Sequence, residues 1–168
     1  LMDTYAAIVA EIPRLRRYAR VLMRDAATAD DLVQDCLERA LGRLHMFQPG
    51  TNLRAWLFTI MHNLHVNARV RQGRSPEISV EPPAGSGEVE PAQGSGLLMR
   101  DLERALGELP DDQRAVVLLV GLEGLSYRDT ACVLGVPVGT VMSRLARGRE
   151  RLRRLVDGEM RQAIRQVR

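Results

Sequence analysis

The feature that most limits how this chain can fold is a stretch rich in proline and glycine near its middle. Residues 72–96 contain four prolines and five glycines and show almost no apolar periodicity. Because this composition cannot supply a packed core, we expect a flexible linker there. The linker leaves two blocks, residues 1–71 and 97–168, each the size of a small domain that buries only about 60% of its unfolded surface. Mutual packing or a partner would therefore stabilise each block.

Charge distinguishes the three segments. The net charge is +3 over residues 1–71, −3 over the linker and +3 over residues 97–168, and all 24 basic residues are arginine. Nine arginines stand against three acids within residues 144–168. A basic block of this kind on a terminal helix indicates an anionic partner such as nucleic acid.

Composition excludes several classes of protein. An apolar fraction of 45% with 27% charged residues indicates a folded chain rather than a disordered one. No uncharged apolar run approaches the roughly 20 residues that cross a bilayer, and the first residues lack the apolar core of a signal peptide. The two cysteines are too few for a disulfide framework. We therefore expect a cytoplasmic protein with no membrane insertion.

Apolar periodicity in the first block predicts three helices. The first two carry apolar positions at helical spacing, namely Leu15, Tyr18, Ala19 and Leu22, then Leu32, Val33, Cys36, Leu37, Ala40, Leu41 and Leu44. Thr28 with Asp31 has the pattern of a capping box at the start of the second helix. Pro49 and Gly50 break the chain before a third helix over residues 53–71. No strand pattern is recognisable, so the predicted fold class is all-α, with two small helical domains.

The second block begins with an apolar stripe between Leu98 and Leu109. Pro110 is expected at the first position of the next helix. That helix continues through residues 115–122, which are apolar on nearly all sides and predict the most buried helix, and Gly124 ends it.

A helix-turn-helix pattern follows. Ser126 with Asp129 forms a second capping box. Ala131 is small enough for a second helix to cross closely, Gly135 accepts the positive φ of a tight turn, and Val141 fills the angle between the helices. This pattern is typical of DNA-binding proteins, in which the second helix enters the major groove. A purely structural pair of helices is the alternative.

Four motifs give the chain a family resemblance. They occur in the order 29–35 (ADDLVQD), 53–60 (LRAWLFTI), 109–114 (LPDDQR) and 138–149 (VGTVMSRLARGR). In these motifs and their separations the chain resembles a bacterial RNA polymerase sigma factor of the extracytoplasmic-function (ECF) type. The resemblance implies a region 2-like domain over residues 1–71 and a region 4-like domain over residues 97–168. It also implies that the chain binds core RNA polymerase and directs it to promoters.

The resemblance implies a docking surface on the second helix for the clamp helices of the polymerase β′ subunit. Its residues are Asp30, Asp31, Gln34, Asp35 and Glu38. The spacing i, i+3, i+4 and i+7 from Asp31 independently places four of them on one helix face opposite the apolar stripe. A solvated acidic face is the alternative. Contact with the β flap and regulation by an anti-sigma factor are also implied.

The resemblance assigns the loop after Gln48 and the following helix to the −10 promoter element, where a non-template base is flipped out. The candidate residues are Asn52, Arg54, Trp56, Asn63, Arg69 and Arg71. The asparagines offer hydrogen bonds to the edge of a splayed base, and the arginines suit phosphates. Trp56 is expected in the core rather than as a stacking platform, because it lies in register with Leu57 and Ile60.

The second helix of the helix-turn-helix is assigned by the same resemblance to the −35 element. The candidate residues are Thr140, Met142, Ser143, Arg144, Arg147 and Arg151. Thr140 and Arg144 suit phosphates, and a bidentate arginine contact to guanine contributes about 1–3 kcal/mol of discrimination. Because Met142 stands where many relatives carry Arg or Lys, a different −35 preference is expected. An inward apolar stripe is predicted at Val141, Leu145, Leu152 and Leu155.

Other chemistry is not indicated. Cys36 and Cys132 both lie on apolar helix faces, so we expect both in the core. His62 and His65 lie one turn apart, but no third or fourth ligand accompanies them, which argues against a metal site. With no phosphate loop or nucleophile motif in the sequence, neither enzymatic activity nor a cofactor is expected.

Two other functions fit parts of the sequence. A sigma mimic that sequesters an anti-sigma factor would need the sigma shape but neither the basic helix nor the docking acids, and this chain carries both. A stand-alone helix-turn-helix repressor would explain residues 126–154 and leave the first 71 residues without a purpose.

Overall fold

The structure is a computed structural model that describes residues 2–23, 25–74 and 95–166. Every regular element within these ranges is helical, and the helices form an N-terminal and a C-terminal domain. This confirms the all-α prediction with two helical domains. Most of the predicted linker, residues 75–94, lies outside the described residues, and the helices on either side extend further into it than predicted. No helix in the described part of the chain is long and apolar enough to cross a membrane.

The N-terminal domain consists of α1 (Met2–Met23), α2 (Ala26–Gly42) and α3 (Leu53–Arg74), with a short 3-10 turn at Leu44–Met46. The three helices pack on one another. Each contributes fully buried side chains to one core, including Leu15, Tyr18, Cys36, Leu57 and Met61. Tyr18 meets Phe58 edge-on with ring centroids 5.0 Å apart, an arrangement favoured by the aromatic quadrupoles. Leu41, predicted on the apolar stripe, is exposed instead.

The start of α2 lies three residues before its predicted position. Asp25 is the N-cap, and its Oδ2 accepts a hydrogen bond from the backbone N–H of Thr28 at 2.9 Å. The predicted capping box of Thr28 and Asp31 is therefore wrong, because Asp25 already satisfies the amide that a cap must satisfy. The hydrogen bond from the Thr28 backbone holds the pKa of Asp25 below its ordinary value. Asp31 consequently lies in the second turn of α2, where it is exposed.

The C-terminal domain consists of α4 (Ser95–Gly107), α5 (Asp111–Val117), α6 (Tyr127–Leu134) and α7 (Val138–Gln166). Residues 115–119 of the predicted apolar run are buried, together with Arg114, whereas residues 120–122 are not. Helix α5 does not continue regularly, since Leu118–Leu122 form a π-helical turn that leaves Leu122 exposed. Gly124, with φ +68°, follows this turn. Pro110 is the N-cap of α5 rather than its first residue.

Arg114 joins the end of α4 to the start of α5. Its guanidinium donates hydrogen bonds to the carbonyl oxygens of Leu106, Gly107 and Leu109 at 2.7–2.9 Å. It also pairs with Asp111 at 3.1 Å, and Arg114 as a whole is buried. The last carbonyls of a helix have no partner within the helix. Arg114 therefore caps α4 from a neighbouring helix.

Helix α7 passes close to α5 at Gly148. A Cβ atom at this position would lie 2.7 Å from Cγ2 of Val117, closer than real Cβ contacts allow. The predicted inward stripe is confirmed for Val141 and Leu145, which are buried, and continues through the half-buried Leu152 and Leu155. A larger residue at position 148 would therefore require Val117 to move or the two helices to separate.

The two cysteines differ. Cys36 is fully buried in the N-terminal core, its Sγ donates to the carbonyl of Leu57 at 3.5 Å, and burial raises the pKa of its thiol to about 12. Cys132 is exposed on α6, so the prediction that it lies in the core is wrong. The apolar residues next to Cys132 in the sequence suggested a buried position, but in the short helix α6 they do not determine which face Cys132 occupies.

Candidate functional site

The predicted docking residues of α2 are all exposed. Asp31, Asp35 and Glu38 line one wall of an open cleft of about 570 Å³ in the N-terminal domain. The opposite wall belongs to α3 and includes His65, Asn67 and Arg71. The cleft thus presents three carboxylates together with two arginines, Arg39 of α2 and Arg71 of α3, and we call it the α2–α3 cleft.

Asp30 and Gln34 have other neighbours. Oδ1 of Asp30 lies 3.4 Å from Nε of Arg16 on α1, an exposed ion pair of small energetic value. Gln34 donates a hydrogen bond to Oε1 of Glu38 at 3.0 Å, one turn further along α2. Since successive helical residues are about 100° apart, Asp30 turns toward α1 while Asp31 turns toward α3.

Residues 48–52, which we call the 48–52 loop, form a closed turn. Gly50 has φ +90°, a conformation that favours glycine. The backbone N–H and the hydroxyl of Thr51 both donate to the carbonyl of Gln48, at 3.2 and 2.7 Å. Oδ1 of Asn52 accepts from the N–H of Ala55 at 3.2 Å and so caps α3. This side chain, predicted to contact a base, therefore has a structural role through its carbonyl oxygen.

An aromatic pair closes the base of the 48–52 loop. Phe47 and Trp56 lie with ring centroids 5.3 Å apart, on either side of the turn. Trp56 was predicted to lie in the core, but the structure shows it half-buried, between the core and the surface. Asn63 follows seven residues later on the same face of α3 and is exposed.

Arg54 is engaged within the protein. Its Nε and Nη2 donate to the two carboxylate oxygens of Glu11 on α1, at 2.9 and 3.1 Å. The predicted role of Arg54 as a phosphate ligand therefore has to compete with a bidentate carboxylate. Of the other predicted phosphate ligands, Arg69 is exposed, and Arg71 is exposed and lines the α2–α3 cleft.

The helix-turn-helix has the predicted capping and turn. Oγ of Ser126 accepts from the N–H of Asp129 at 3.0 Å and donates to its carboxylate at 2.8 Å. Gly135 has φ +64°, and the N–H of Val136 donates to the carbonyl of Ala131 at 3.1 Å. The two capping residues and the turn glycine are thus confirmed by geometry.

The outer surface of α7 carries the candidate base readers. Met142, Ser143, Arg147 and Arg151 are exposed, and Thr140 is half-buried. Ser143 donates from Oγ to the carbonyl of Thr140 at 3.1 Å. Arg147 folds back one turn and donates to the carbonyl and the hydroxyl oxygen of Ser143, at 3.3 and 3.4 Å. These long hydrogen bonds hold the guanidinium against α7 without enclosing it.

Three further arginines of α7 are paired with acids. Nε of the half-buried Arg144 lies 3.2 Å from Oδ2 of Asp112 on α5, so Arg144 ties α7 to α5. The predicted contact of Arg144 with a phosphate would have to compete with this ion pair. Arg153 and Arg154 both bind Glu150, at 2.7 and 2.9 Å. The hydrogen bond from Arg154 lowers the pKa of Glu150.

The histidines of α3 give no indication of a metal centre. Among the described residues no group of three or more potential ligands converges. Burial lowers the pKa of His62, which favours its neutral form at physiological pH.

Comparison with known proteins decides the family. A model of the sigma2 domain of PhyR matches residues 8–62, and a model of sigma-70 region 4 matches residues 99–152. The ECF RNA polymerase sigma factor EcfG of Rhodopseudomonas palustris is 43% identical over 90% of this chain and 84% of its own length. The chain belongs to the ECF RNA polymerase sigma factors. It directs transcription initiation as a non-catalytic subunit of RNA polymerase.

Solved structures agree with this family. The sigma factor RpoE of Bartonella quintana, in complex with the anti-sigma factor NepR, matches with a TM-score of 0.83 and 36% identity over 94% of this chain and 98% of that one. CnrH, in complex with the cytosolic domain of CnrY, matches with a TM-score of 0.69 and 28% identity over 94% and 90%. The two alternatives, a sigma mimic and a stand-alone repressor, are set aside by membership of the ECF sigma factors.

Several residues that build these surfaces carry no signal that we recognised in the sequence. Glu11, Asp112 and Arg114 act through partners on other helices, and Gly148 lies where α7 passes close to α5. Asp112, Arg114 and Gly148 lie inside the recognised motifs, which therefore marked these positions without revealing the physical reason.

Proposed function

We propose that this ECF sigma factor docks on core RNA polymerase through α2 and reads the promoter with two separate surfaces. The 48–52 loop with α3 would read the −10 element, and α7 would read the −35 element. The observation that carries the proposal is that three of the four motif-bearing helices each present an exposed cluster of the required chemistry. These clusters are carboxylates on α2, a capped loop beside Trp56 and Asn63, and polar and arginine side chains on α7.

The docking partner on the polymerase is the clamp-helix region of β′. Asp31, Asp35 and Glu38 share one wall of the α2–α3 cleft, where a basic helix would find complementary charge. Asp30 and Gln34 extend this surface along the adjacent edge. Exposed carboxylates of this kind raise the rate of encounter with a basic partner and select against acidic ones.

The docking assignment is tested by Asp31→Arg combined with Asp35→Arg. Core binding is expected to fall by at least about tenfold, because two attractive charges become repulsive. The control is Glu103→Arg with Asp157→Arg, which makes the same change of charge at exposed positions of the C-terminal domain. Core affinity measured by anisotropy of a labelled sigma factor should be lost in the first pair only. Wild-type affinity in the first pair would contradict the assignment.

At the −10 element, the 48–52 loop and Asn63 would receive a flipped non-template base. The support is geometric, since a closed turn stands at the start of α3 and an exposed amide lies further along the same helix face. Arg69 and Arg71 supply positive charge for the strand, whereas Arg54 is occupied by Glu11. Few exposed aromatic side chains surround this surface, so hydrogen bonding to one captured base contributes more than stacking along the strand.

At the −35 element, Ser143, Arg147 and Arg151 would face the major groove from α7. Met142 is 53% exposed and Val138 is 40% exposed, which suits contact with thymine methyl groups. Thr140 lies in the first turn of the helix beside them, and Arg144 is held by Asp112. The predicted consequence is a −35 preference that combines guanine contacts by arginine with apolar contacts to thymine.

Arg147→Ala tests the −35 assignment. Transcription from an intact promoter should fall by about tenfold, while core binding stays the same, since one base contact is worth about 1–3 kcal/mol. The control Arg153→Ala removes another exposed arginine of α7, which pairs with Glu150. Promoters with a scrambled −35 sequence complete the design. If Arg147→Ala lowers transcription equally on intact and scrambled promoters, the residue does not read this element.

Two further partners follow from the family. The C-terminal domain would contact the β flap of the polymerase, and an anti-sigma factor would hold the chain inactive, as the complex of the similar RpoE with NepR suggests. Multi-round transcription with purified core polymerase and genomic DNA of the source organism would define the promoters. Transcripts sharing an upstream motif are expected, and their disappearance on adding a candidate anti-sigma protein would identify that partner.

A further inference from the structure

We infer that Glu11 and Arg54 form a positioning pair that fixes the 48–52 loop for base capture at the −10 element. The inference rests on the proposed assignment of this loop to the −10 element. It gives Arg54 an indirect role in place of a phosphate contact, and it gives Glu11 of α1 a role in promoter reading.

The geometry of the pair is specific. Arg54 is the second residue of α3 and follows the helix cap Asn52 by two positions. Its guanidinium contacts both oxygens of the Glu11 carboxylate, at 2.9 and 3.1 Å, which is the bidentate arrangement that fixes direction as well as distance. The Glu11 side chain is only 16% exposed, and Nε of Arg14 approaches the same carboxylate at 3.8 Å. The start of α3 is therefore tied to α1 immediately beside the loop.

A direct phosphate contact by Arg54 is disfavoured by the same geometry. With Glu11 in place the pair has no net charge, and an incoming phosphate would meet a carboxylate at short range. Turning the guanidinium outward would also leave the partly buried carboxylate with only the more distant Arg14. The pair acts on DNA through the loop that it orients.

Orientation matters for a flipped base because capture requires a pocket that is already formed. The 48–52 loop is closed within itself by the hydrogen bonds from Thr51 to Gln48 and by the Asn52 cap. These local bonds hold the shape of the loop, and the bond to Glu11 holds its direction relative to α1. Without that bond, part of the binding free energy is lost in ordering the loop.

A double-mutant cycle tests the pair, with Glu11→Gln, Arg54→Gln and the combination. Holoenzyme binding is measured on a forked probe from a promoter defined by the transcription experiment, with its non-template −10 strand single-stranded. Matched probes carry an abasic site at each −10 position in turn. The discrimination ratio is the affinity for the intact probe divided by that for the abasic one. Arg20→Gln, an exposed arginine of α1, is the control.

Each single substitution is expected to lower the discrimination ratio by about tenfold, and the double variant should be no worse than either, as for contacting residues that act as a unit. Core affinity and −35 dependence should stay unchanged. Loss in Arg54→Gln with a wild-type ratio in Glu11→Gln would overturn the inference in favour of direct phosphate contact. Additive losses would overturn it as well. A wild-type protein without discrimination on any abasic probe would instead refute the −10 assignment itself.

A second measurement needs no DNA. Trp56 is the single tryptophan of the chain and packs on Phe47 at the base of the loop, so its fluorescence reports this region in the free protein. Glu11→Gln and Arg54→Gln should both change the Trp56 emission and speed amide exchange at Thr51 and Ala55 by about tenfold, while the core of the N-terminal domain stays protected. Unchanged exchange at these amides in a folded variant would overturn the positioning role. If either variant unfolds, Arg54→Lys, which keeps the charge without the fork, gives the same readout.

Discussion

The 48–52 loop and helix α7 are positioned by different kinds of interaction. The loop depends on polar contacts, with Asn52 capping α3, Thr51 closing the turn and Arg54 bound to Glu11. Helix α7 depends mainly on packing, with Val141 and Leu145 buried and Gly148 against α5. Hydrogen bonds fix direction and close packing fixes separation. The 48–52 loop, proposed to hold one flipped base, is thus fixed in its direction. Helix α7, proposed to enter the major groove, is fixed in its distance from α5.

The same contrast appears in two arginines that were predicted to bind phosphates. Arg54 makes two hydrogen bonds to Glu11, whereas Arg144 makes one close contact with Asp112, whose side chain is 49% exposed. An exposed single contact contributes little and is screened by salt, while a bidentate and largely enclosed one contributes more. Arg144 is therefore held by the weaker of the two contacts, although its side chain, at 26% exposure, is no more accessible than that of Arg54 at 30%.

The largest expected effect concerns Arg114, a buried charged residue of the C-terminal domain. Arg114→Met should destabilise the C-terminal domain by about 3 kcal/mol, because the substitution removes three buried hydrogen bonds to carbonyl oxygens, of which that of Leu106 keeps the N–H of Leu109 as a donor. Hydrogen exchange followed by mass spectrometry should show faster exchange in α4 and α5 and little change in α1 to α3. Arg104→Met, which removes an exposed pair with Asp101, is the control and should change stability by less than about 1 kcal/mol. Equal effects of the two substitutions would mean that Arg114 does not cap α4.

Gly148→Ala tests whether packing alone fixes α7. The added methyl would lie 2.7 Å from Val117 Cγ2, so the helices must separate or Val117 must change rotamer, at a cost of about 2 kcal/mol. Thermal unfolding measures this cost. Gly158→Ala, in the same helix with no atom near its added Cβ, should instead stabilise by up to about 1 kcal/mol. A stabilising Gly148→Ala would show that α7 has room to move and would weaken the contrast with the loop.

Asn52→Ala tests the polar contacts that position the 48–52 loop. Loss of the cap should destabilise the N-terminal domain by about 1 kcal/mol. Amide exchange at Ala55 should increase, and the C-terminal domain should not respond. Asn63→Ala is the control because Asn63 is exposed within the same helix, and its effect on stability should stay within about 0.5 kcal/mol. If both substitutions weaken −10 discrimination but only Asn52→Ala alters exchange at Ala55, Asn52 acts by capping α3 and Asn63 acts by contacting the base.

How much the sequence could predict depends on how local each cause is. Helical periodicity located the buried faces of α1 and α7 because neighbours one turn apart decide that pattern. The partner of Arg54 was not predictable, since Glu11 is 43 positions away and has no motif of its own. Position 148 could not be interpreted either, because only the approach of α5 explains why a larger residue would be crowded there.

The helix caps show that prediction from sequence can fail even within a single helical turn. Asp25 and Thr28 are both good N-cap residues, and the pattern from Thr28 to Asp31 satisfied the capping-box rule in sequence. The true start was decided by Asp25, which accepts the Thr28 amide. At Ser126 no competing residue stands three positions upstream, and the same rule was correct.

The smallest expected effect arises from the chemistry of these two caps. Helix α2 is capped directly by the ionisable carboxylate of Asp25, whereas α6 is capped by the hydroxyl of Ser126, which in turn donates to the carboxylate of Asp129, so acid acts on the capping group itself only at α2. The pKa of Asp25 is lowered from 3.8 by the hydrogen bond from Thr28, so its contribution is complete above the pKa of the unfolded chain and is lost as the pH falls through the folded value. Asp25→Asn keeps a good cap without the charge. The difference in unfolding free energy between wild type and Asp25→Asn should be constant above about pH 5 and should change as the pH is lowered through and below 4. Because Glu150 also has a lowered pKa, only this difference isolates Asp25. A difference that stays the same down to pH 2 would mean that the carboxylate charge adds nothing to the cap of α2.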